Sequence, residues 1–462
     1  MAVPPEPPRR DAGDDDLRDA DRPAEPRPAG GRDAEPRPAG ARPALERAVL
    51  SGPALAVGFV LAHLWLVLDA ISWRGQIYGD VTLYEWWARN GLSTGQWPVL
   101  DYDWVYPAAA LVPVTLPALV TITTLGYEAV WTALVIALDG VAVWQLARSA
   151  PRGRVAAWWW LLFLVALGPI FLGRLDGVVA PLIVLALLWA GRRPAVAAAV
   201  ATLGAWIKIA PGAVVVALAA TARRGRDLLR DVVVPGAAVS VAVVGLALLG
   251  GAGERAWSVF GEQGARTLQA ESVAATWFSV ARLWDPTVHI AYNDVIYTYE
   301  VQGDAARQVA SGLDGLLPVA VLAVAALAWA AARRRPDLSA DVLLLAAAAG
   351  LLALIVFNKV GSPQFVAWIG PPVAAALVLA GPGARHVWSP PAVGMLLVAL
   401  GTQVLYPVAY GEFLAGEPWM VVVAALRNVG LVVLLGGAVW RLGALAASRR
   451  PRVEPAPAVA HG

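Results

Sequence analysis

Apolar residues in this chain gather in long runs, and the polar residues gather in the gaps between them. A helix that is hydrophobic all round belongs in a membrane or a large core. The first run, about Ala48–Trp73, is longer than the ~20 residues that cross a bilayer. A polar, aromatic stretch follows at Tyr78–Pro107, and beyond it the chain is again almost wholly apolar. Ala108–Leu125 is apolar enough to span but is interrupted by Pro113 and Pro117. It therefore reads as a juxtamembrane helix, with the second span at about Tyr127–Ala147.

Arginine orients the runs. Clusters stand at Arg42 and Arg47, Arg148–Arg154, Arg192 and Arg193, Arg223–Arg230, Arg333–Arg335 and Arg441–Arg450. Short loops rich in Lys and Arg face the cytoplasm. Each interval between clusters must then cross outward and return. With a weakly basic turn near Arg385 and His386, the count comes to about twelve helices. After the second, spans are expected near Val155–Leu172, Val178–Ala190, Val232–Leu249, Leu316–Ala332, Val342–Phe357, Phe365–Leu379, Ala392–Tyr406 and Trp419–Val439. The 28 residues Ala195–Ala222 supply the remaining pair. At ~1.5 Å per residue each arm reaches only about 21 Å, short of the ~30 Å hydrocarbon core. This hairpin, bent at IKIAP, should end inside the membrane, where Lys208 needs a polar cavity.

The fold class expected is thus an all-α polytopic membrane protein. Its membrane domain should cover about residues 45–447, with outer loops at about 74–126 and 250–312 and both termini cytoplasmic. Residues 1–44 and 448–462, rich in Pro, Arg, Asp, Ala and Gly, cannot bury enough apolar surface to offset chain entropy and read as disordered tails.

Composition sharpens the class. Of 462 residues, 58% are hydrophobic and 15% charged, where a soluble protein would be near a quarter charged. Cysteine is absent, which excludes thiol catalysis, disulfides and cysteine metal sites. His63, His289, His386 and His461 are scattered without metal-ligand spacing. The net charge of +2 is uninformative as a total, and no nucleic-acid partner is expected.

Candidate chemistry lies in the outer loops. Tyr78–Pro107 holds Asp80, Glu85, Asp101 and Asp103 among aromatic rings, which favour the headgroup level of a bilayer. Asp80 comes soon after the first span and is the candidate base. The only lysines, Lys208 and Lys359, fall at expected outer ends of helices, where topology disfavours cations. They either snorkel to headgroups or meet an anion such as phosphate. GRLDG sets Arg174 and Asp176 at the outer mouth. RTLQAES brings Arg266, Gln269 and Glu271 together, in a loop that could equally be solvated. Asp139 and His63, inside spans, read as buried hydrogen-bonding groups.

Together these pieces resemble glycosyltransferase family 87, of the GT-C superfamily. The resemblance runs over about Asp80–Trp368. It rests on Asp80 in GDVTLYEWWA, the YP step at Tyr106–Pro107, RLD at Arg174–Asp176, and IKIAP with Lys208 and Pro211. RTLQAES at Arg266–Ser272 and KVGSPQFVAW at Lys359–Trp368, with Gln364, complete it. Ala108 replaces a second proline usual in the family, and Phe365 stands where tyrosine is usual.

The resemblance implies a polyprenyl-phosphate-sugar donor such as polyprenyl-phosphate-mannose, a glycolipid or glycan acceptor, and inversion at the anomeric carbon. It implies Asp80 as catalytic base, with Arg266, Lys208 and Lys359 on the donor phosphate. Glu271, Gln269, Arg174, Asp176, Gln364 and Tyr106 would contact substrate. No cofactor and no obligatory metal are expected. The chemistry is consistent: a sugar hydroxyl needs a positioned carboxylate to take its proton, and cations stabilise charge developing on a leaving phosphate. A transporter or flippase of lipid-linked sugars would use the same cavity without needing a base, and a pentose donor is a further alternative. The absence of an internal repeat, which many secondary transporters show, favours the enzyme.

Overall fold

The computed structural model describes residues 48–264, 266–380 and 385–448. The tails expected at 1–44 and 448–462 lie outside the described residues apart from Ser448, as do 381–384 in the turn expected before Arg385. The larger helices, in chain order, are α1 (Gly52–Ser72), α2 (Gly79–Thr94), α3 (Leu111–Val120), α4 (Thr124–Ser149) and α5 (Gly153–Leu167). They continue as α6 (Asp176–Trp189), α7 (Pro194–Ile207), α8 (Gly212–Thr221), α9 (Val234–Leu249) and α10 (Asp304–Arg334). The last are α11 (Ser339–Val356), α12 (Gly370–Leu379), α13 (Arg385–Gln403) and α14 (Pro418–Ala447).

Helix ends follow local chemistry. Ser51 caps α1, its hydroxyl accepting from Ala54 N at 3.2 Å. Thr123 caps α4 by accepting from Gly126 N at 3.1 Å. Among the described residues, seven helices are long and apolar enough to cross a membrane: Gly52–Ser72, Thr124–Ser149, Gly225–Leu249, Asp304–Arg334, Pro336–Val356, His386–Val408 and Pro418–Ala447. α3, α5, α6, α7, α8 and the segment Pro363–Leu379 are apolar but shorter. α7 and α8 form the short hairpin at the expected place, bent at Lys208–Pro211.

Burial divides the helices. Nearly every side chain of α6 and α11 is buried. α9 shows only Ala247 buried and leaves Val241, Leu246 and Leu249 exposed, as suits a face turned to acyl chains. The alanine-rich α11, with Gly350 its one glycine, lets α8 come close: a Cβ on Gly350 would stand 3.2 Å from that of Ala213. Within the spans His63 Nε2 meets Asp139 Oδ2 at 3.3 Å, and Trp160 Nε1 donates to Asp139 Oδ1 at 2.6 Å. These contacts tie α1, α4 and α5 through one buried polar cluster.

Among the described residues one element departs from the all-helical expectation. β1 (Ile290–Asn293) and β2 (Thr298–Val301) pair antiparallel in the second outer loop, with Ile290 opposite Val301 and Asn293 opposite Thr298. RTLQAES docks on this hairpin, Val301 N donating to Leu268 O and Ala270 N to Tyr299 O, each at 2.9 Å. Its Leu268, Gln269, Ala270, Glu271 and Ser272 are buried, so the alternative of a solvated loop is set aside.

Loops meet loops of the same predicted side. Trp104 N donates to Ser258 Oγ (2.9 Å), Arg255 Nε to Leu100 O (3.0 Å) and Gln263 Nε2 to Val105 O (3.2 Å), joining the two outer loops. Arg154 Nη1 reaches Leu50 O (3.0 Å) and Arg223 Nη2 reaches Pro336 O (3.2 Å), joining segments expected in the cytoplasm. Single cysteines report sidedness because the chain has none of its own. Asp103→Cys and Asp294→Cys, both at exposed positions, are expected to react with an impermeant maleimide only from outside, and Arg193→Cys only from the cytoplasm. Labelling of all three from one side would overturn the arrangement.

Candidate functional site

Asp80 sits in the first turn of α2, where the partial positive charge of a helix start favours a carboxylate. Its Oδ2 is 3.0 Å from Arg174 Nε. The same guanidinium donates through Nη1 to Ile77 O (2.5 Å) and Gly173 O (2.8 Å), and through Nη2 to Gln76 O (3.2 Å). Gly173 permits this approach: a Cβ there would lie 2.1 Å from Ile77 O, so no larger residue fits without moving backbone. Burial works against the guanidinium's charge, but Asp80, then Tyr406, Tyr84 and Tyr106, outweigh it and hold its pKa above the ordinary arginine value. Arg174 therefore stays charged and fixes one oxygen of a carboxylate whose side chain is 36% exposed. Asp80 Oδ1 makes no hydrogen bond among the described residues.

Two residues on, Asp176 opens α6 and is fully buried. Its Oδ2 pairs with Lys208 Nζ at 2.6 Å and its Oδ1 accepts from Trp368 Nε1 at 2.7 Å. The polar cavity that Lys208 needed is thus an aspartate and a ring of aromatics. Its ammonium lies 5.1 Å from the Phe365 centroid, 5.8 Å from Tyr106 and 6.0 Å from Trp368. The Tyr106 hydroxyl stands 3.3 Å from that of Tyr84. Burial first, then Asp80's charge, raise Tyr106's pKa, which keeps it neutral and able to donate. Asp80, Arg174, Asp176, Lys208 and Tyr106 therefore form one group.

Glu271 and Gln269 belong to a second cluster. Tyr410 donates its hydroxyl to Glu271 Oε1, and burial raises the carboxyl's pKa. Arg427 Nη1 reaches Glu271 O at 3.3 Å. Gln269 Oε1 accepts from Gly361 N (3.1 Å) and Ser362 Oγ (3.2 Å), locking the KVGS turn onto RTLQAES. A Cβ on Gly361 would fall 2.1 Å from Ser272 Cα, so that contact too requires glycine. Tyr406 joins the clusters, donating to Gln76 O at 2.7 Å beside Arg174 and packing its ring 5.1 Å from Tyr410.

The other candidates stand apart. Lys359 is buried and paired with Asp314 Oδ2 at 2.8 Å, with Gly264 O also at 2.8 Å. Arg266 is half-buried, and its Nε has no hydrogen-bond partner among the described residues. Gln364 is half-buried in the turn Pro363–Trp368. Glu85 is taken up by Arg89 (2.6 Å) and Thr124 (3.2 Å), Asp101 accepts from Trp97 N (2.8 Å), and Asp103 is exposed. Sequence reasoning passed over Arg427, Tyr406 and Tyr410. For Arg427 a signal existed, an arginine inside an apolar span. No group of three or more His, Asp and Glu able to hold a metal occurs among the described residues.

The pair Asp176–Lys208 invites a test of which role dominates. Removing one partner of a buried pair leaves an uncompensated charge, at roughly 3–5 kcal/mol. Lys208→Met should lower thermal stability in detergent accordingly, and adding Asp176→Asn should restore most of it. Equal stability of wild type and Lys208→Met would show that the pair is not structural.

With this geometry in place, comparison with known proteins is informative. The model of glycosyltransferase family 87 matches residues 104–358, more than half of the chain. That interval contains Tyr106, Arg174, Asp176, Lys208, Arg266, Gln269 and Glu271; Asp80, Lys359 and Gln364 fall outside it. No curated protein and no solved structure matches.

Proposed function

The chain belongs to glycosyltransferase family 87, and from that premise we propose that it moves a sugar, mannose in the first instance, from a polyprenyl-phosphate donor to a hydroxyl of a glycolipid or glycan acceptor. The reaction takes place at the extracytoplasmic face of the cell membrane, with both termini in the cytoplasm. One observation supports this above the others: Asp80 presents a carboxylate with one oxygen fixed by Arg174 and the other unengaged, beside a cluster of cations and aromatic rings.

In this reading the acceptor hydroxyl approaches Asp80 Oδ1. Its oxygen attacks the anomeric carbon from the face opposite the phosphate, and its proton passes to the carboxylate. The bond from the anomeric carbon to the phosphate oxygen breaks, its electron pair staying on the lipid phosphate. That group leaves without a proton, so a single carboxylate suffices and the anomeric configuration inverts. Lys208 and Arg266 meet the charge that develops on the phosphate. Lys359 would join them only by exchanging Asp314 for phosphate. Tyr106, Arg174, Asp176, Gln269, Glu271 and Gln364 shape the substrate cavity. A transporter would need the same cations but no base.

General-base catalysis typically contributes ~10²–10⁴-fold. Asp80→Asn keeps the shape of the side chain and removes the basicity, together with the charge that pairs with Arg174. Turnover with radiolabelled polyprenyl-phosphate-mannose and membrane-lipid acceptors should fall by that factor, while donor binding is kept. A well-folded Asp80→Asn protein retaining more than about a tenth of normal transfer would refute the assignment.

A further inference from the structure

α13 ends at Gln403, and the chain just beyond it meets the first outer loop. Tyr406 has extended backbone there, φ −147° and ψ 120°, within an otherwise helical turn. Pro407 follows it, and a proline ring pushes the preceding residue out of the helical region. The phenol reaches Gln76, 330 residues earlier in the chain, and donates to its carbonyl at 2.7 Å. Three residues before, Gln403 Nε2 donates to Asp69 Oδ2 at 3.1 Å. One short stretch thus grips the last turn of α1 and the turn that follows it.

Gln76 O also accepts from Arg174 Nη2, at 3.2 Å. A carbonyl oxygen has two lone pairs, so the phenol takes one and the guanidinium the other. The two donors stand side by side, and each acts on the other electrostatically. A guanidinium is a rigid plane, so confining Nη2 also confines Nε, which meets Asp80 Oδ2 at 3.0 Å. Without the phenol, Nη2 has the whole of Gln76 O to range over. The plane is then free to tilt on Ile77 O and Gly173 O, and Nε swings with it.

We infer that Tyr406 is a positioning residue for Asp80, acting through Gln76 O and Arg174 to hold the carboxylate in its orientation. The inference rests on the catalytic reading of Asp80 given above. The Tyr406 ring packs 5.1 Å from that of Tyr410, whose hydroxyl is bound to Glu271, so the ring keeps its place without its own hydroxyl. The bond to Gln76 O is open to solvent. Water therefore satisfies that carbonyl in a variant, and no buried group is left unpaired. Removing the hydroxyl costs orientation rather than stability.

The test is Tyr406→Phe in the full chain, assayed with radiolabelled polyprenyl-phosphate-mannose and membrane-lipid acceptors. Its kcat should fall roughly three- to tenfold, as expected for one hydrogen bond. Both KM values and the melting temperature in detergent should stay at wild type, since the interaction serves the transition state. Gln403→Met releases the same stretch from Asp69 but leaves Gln76 O and Arg174 untouched, so its kcat should match wild type. Equal losses of kcat in the two variants, or a matching loss of stability in Tyr406→Phe, would make Tyr406 an anchor and overturn the inference. So would an unchanged kcat, or a raised KM with kcat kept. In an Asp80→Asn background Tyr406→Phe should cost nothing more, because the step it serves is already lost; a further fall of the same size would overturn the route through Asp80. Asp80→Asn that keeps its transfer would sink the catalytic reading and this inference together, whereas loss in Asp80→Asn alone would sink only the inference. If the wild type transfers no sugar from this donor, electron cryomicroscopy of Tyr406→Phe decides. Asp80 displaced from Arg174 would support the positioning role, and an unchanged ion pair would overturn it.

Discussion

Arg174 carries the charge around which the Asp80 group is arranged. It sits in a turn packed so closely on Gln76–Ile77 that glycine is required beside it, and three backbone carbonyls accept from its guanidinium. Those carbonyls belong to the short turn between α1 and α2 and to the segment just before α6, so the contact fixes the start of the first outer loop against the central helices. The remaining face of the guanidinium meets Asp80. Without Arg174, Asp80 would sit on a helix start with nothing to orient it, and Gln76 would lose a partner it shares with Tyr406. If Asp80 receives the proton of an acceptor hydroxyl, as proposed, it must be held without being enclosed, and pairing one oxygen with Arg174 is compatible with that.

Asp176 and Lys208 place a second ion pair within two residues of the first. The grouping follows from how short the local helices are. α7 and α8 reach only part of the way across a hydrocarbon core, so their bend leaves Lys208 within the protein, where an aspartate and aromatic faces replace water. Full-length helices there would have carried the lysine past Asp176 to the surface. The short hairpin is thus what brings a cation next to Asp80's loop.

Much of this was legible in the sequence because membrane burial writes itself in long apolar runs and arginine-rich turns. α1, α4, α9 and the α7–α8 hairpin stand where those runs and turns put them. RLD, IKIAP and RTLQAES were visible as polar islands, and polar groups near a membrane need partners. Which partners they take was not legible. Asp139 finds His63 across α1 and α4, Lys359 finds Asp314 on α10, and Gln269 finds the KVGS turn; each pairing depends on helix packing that no local pattern encodes. The β hairpin escaped because its two four-residue strands lie in a mixed polar loop, where alternation over so short a length is weak. Tyr406 and Tyr410 were passed over, since rings are common near span ends and neither stands out there.

Among the described residues, several of the buried polar atoms that lack a hydrogen-bond partner gather around one segment of the second outer loop, though others lie in the membrane helices. Within the spans, His63 Nε2 and Asp139 Oδ2 stand 3.3 Å apart as an ion pair, and neither atom is hydrogen-bonded among the described residues. Arg266, Glu271, Arg282 and Arg427 each keep a buried polar atom without a hydrogen-bond partner, and all four lie in or against the segment 266–282. In a low-dielectric interior such atoms are costly, and a fold selected for stability alone would pair them or replace them with apolar groups. The segment is not loose, since β2, the KVGS turn and Asn428 all hold it. On the proposed function, the arginines among these four groups would find their acceptors in an anionic substrate, while Glu271 could not.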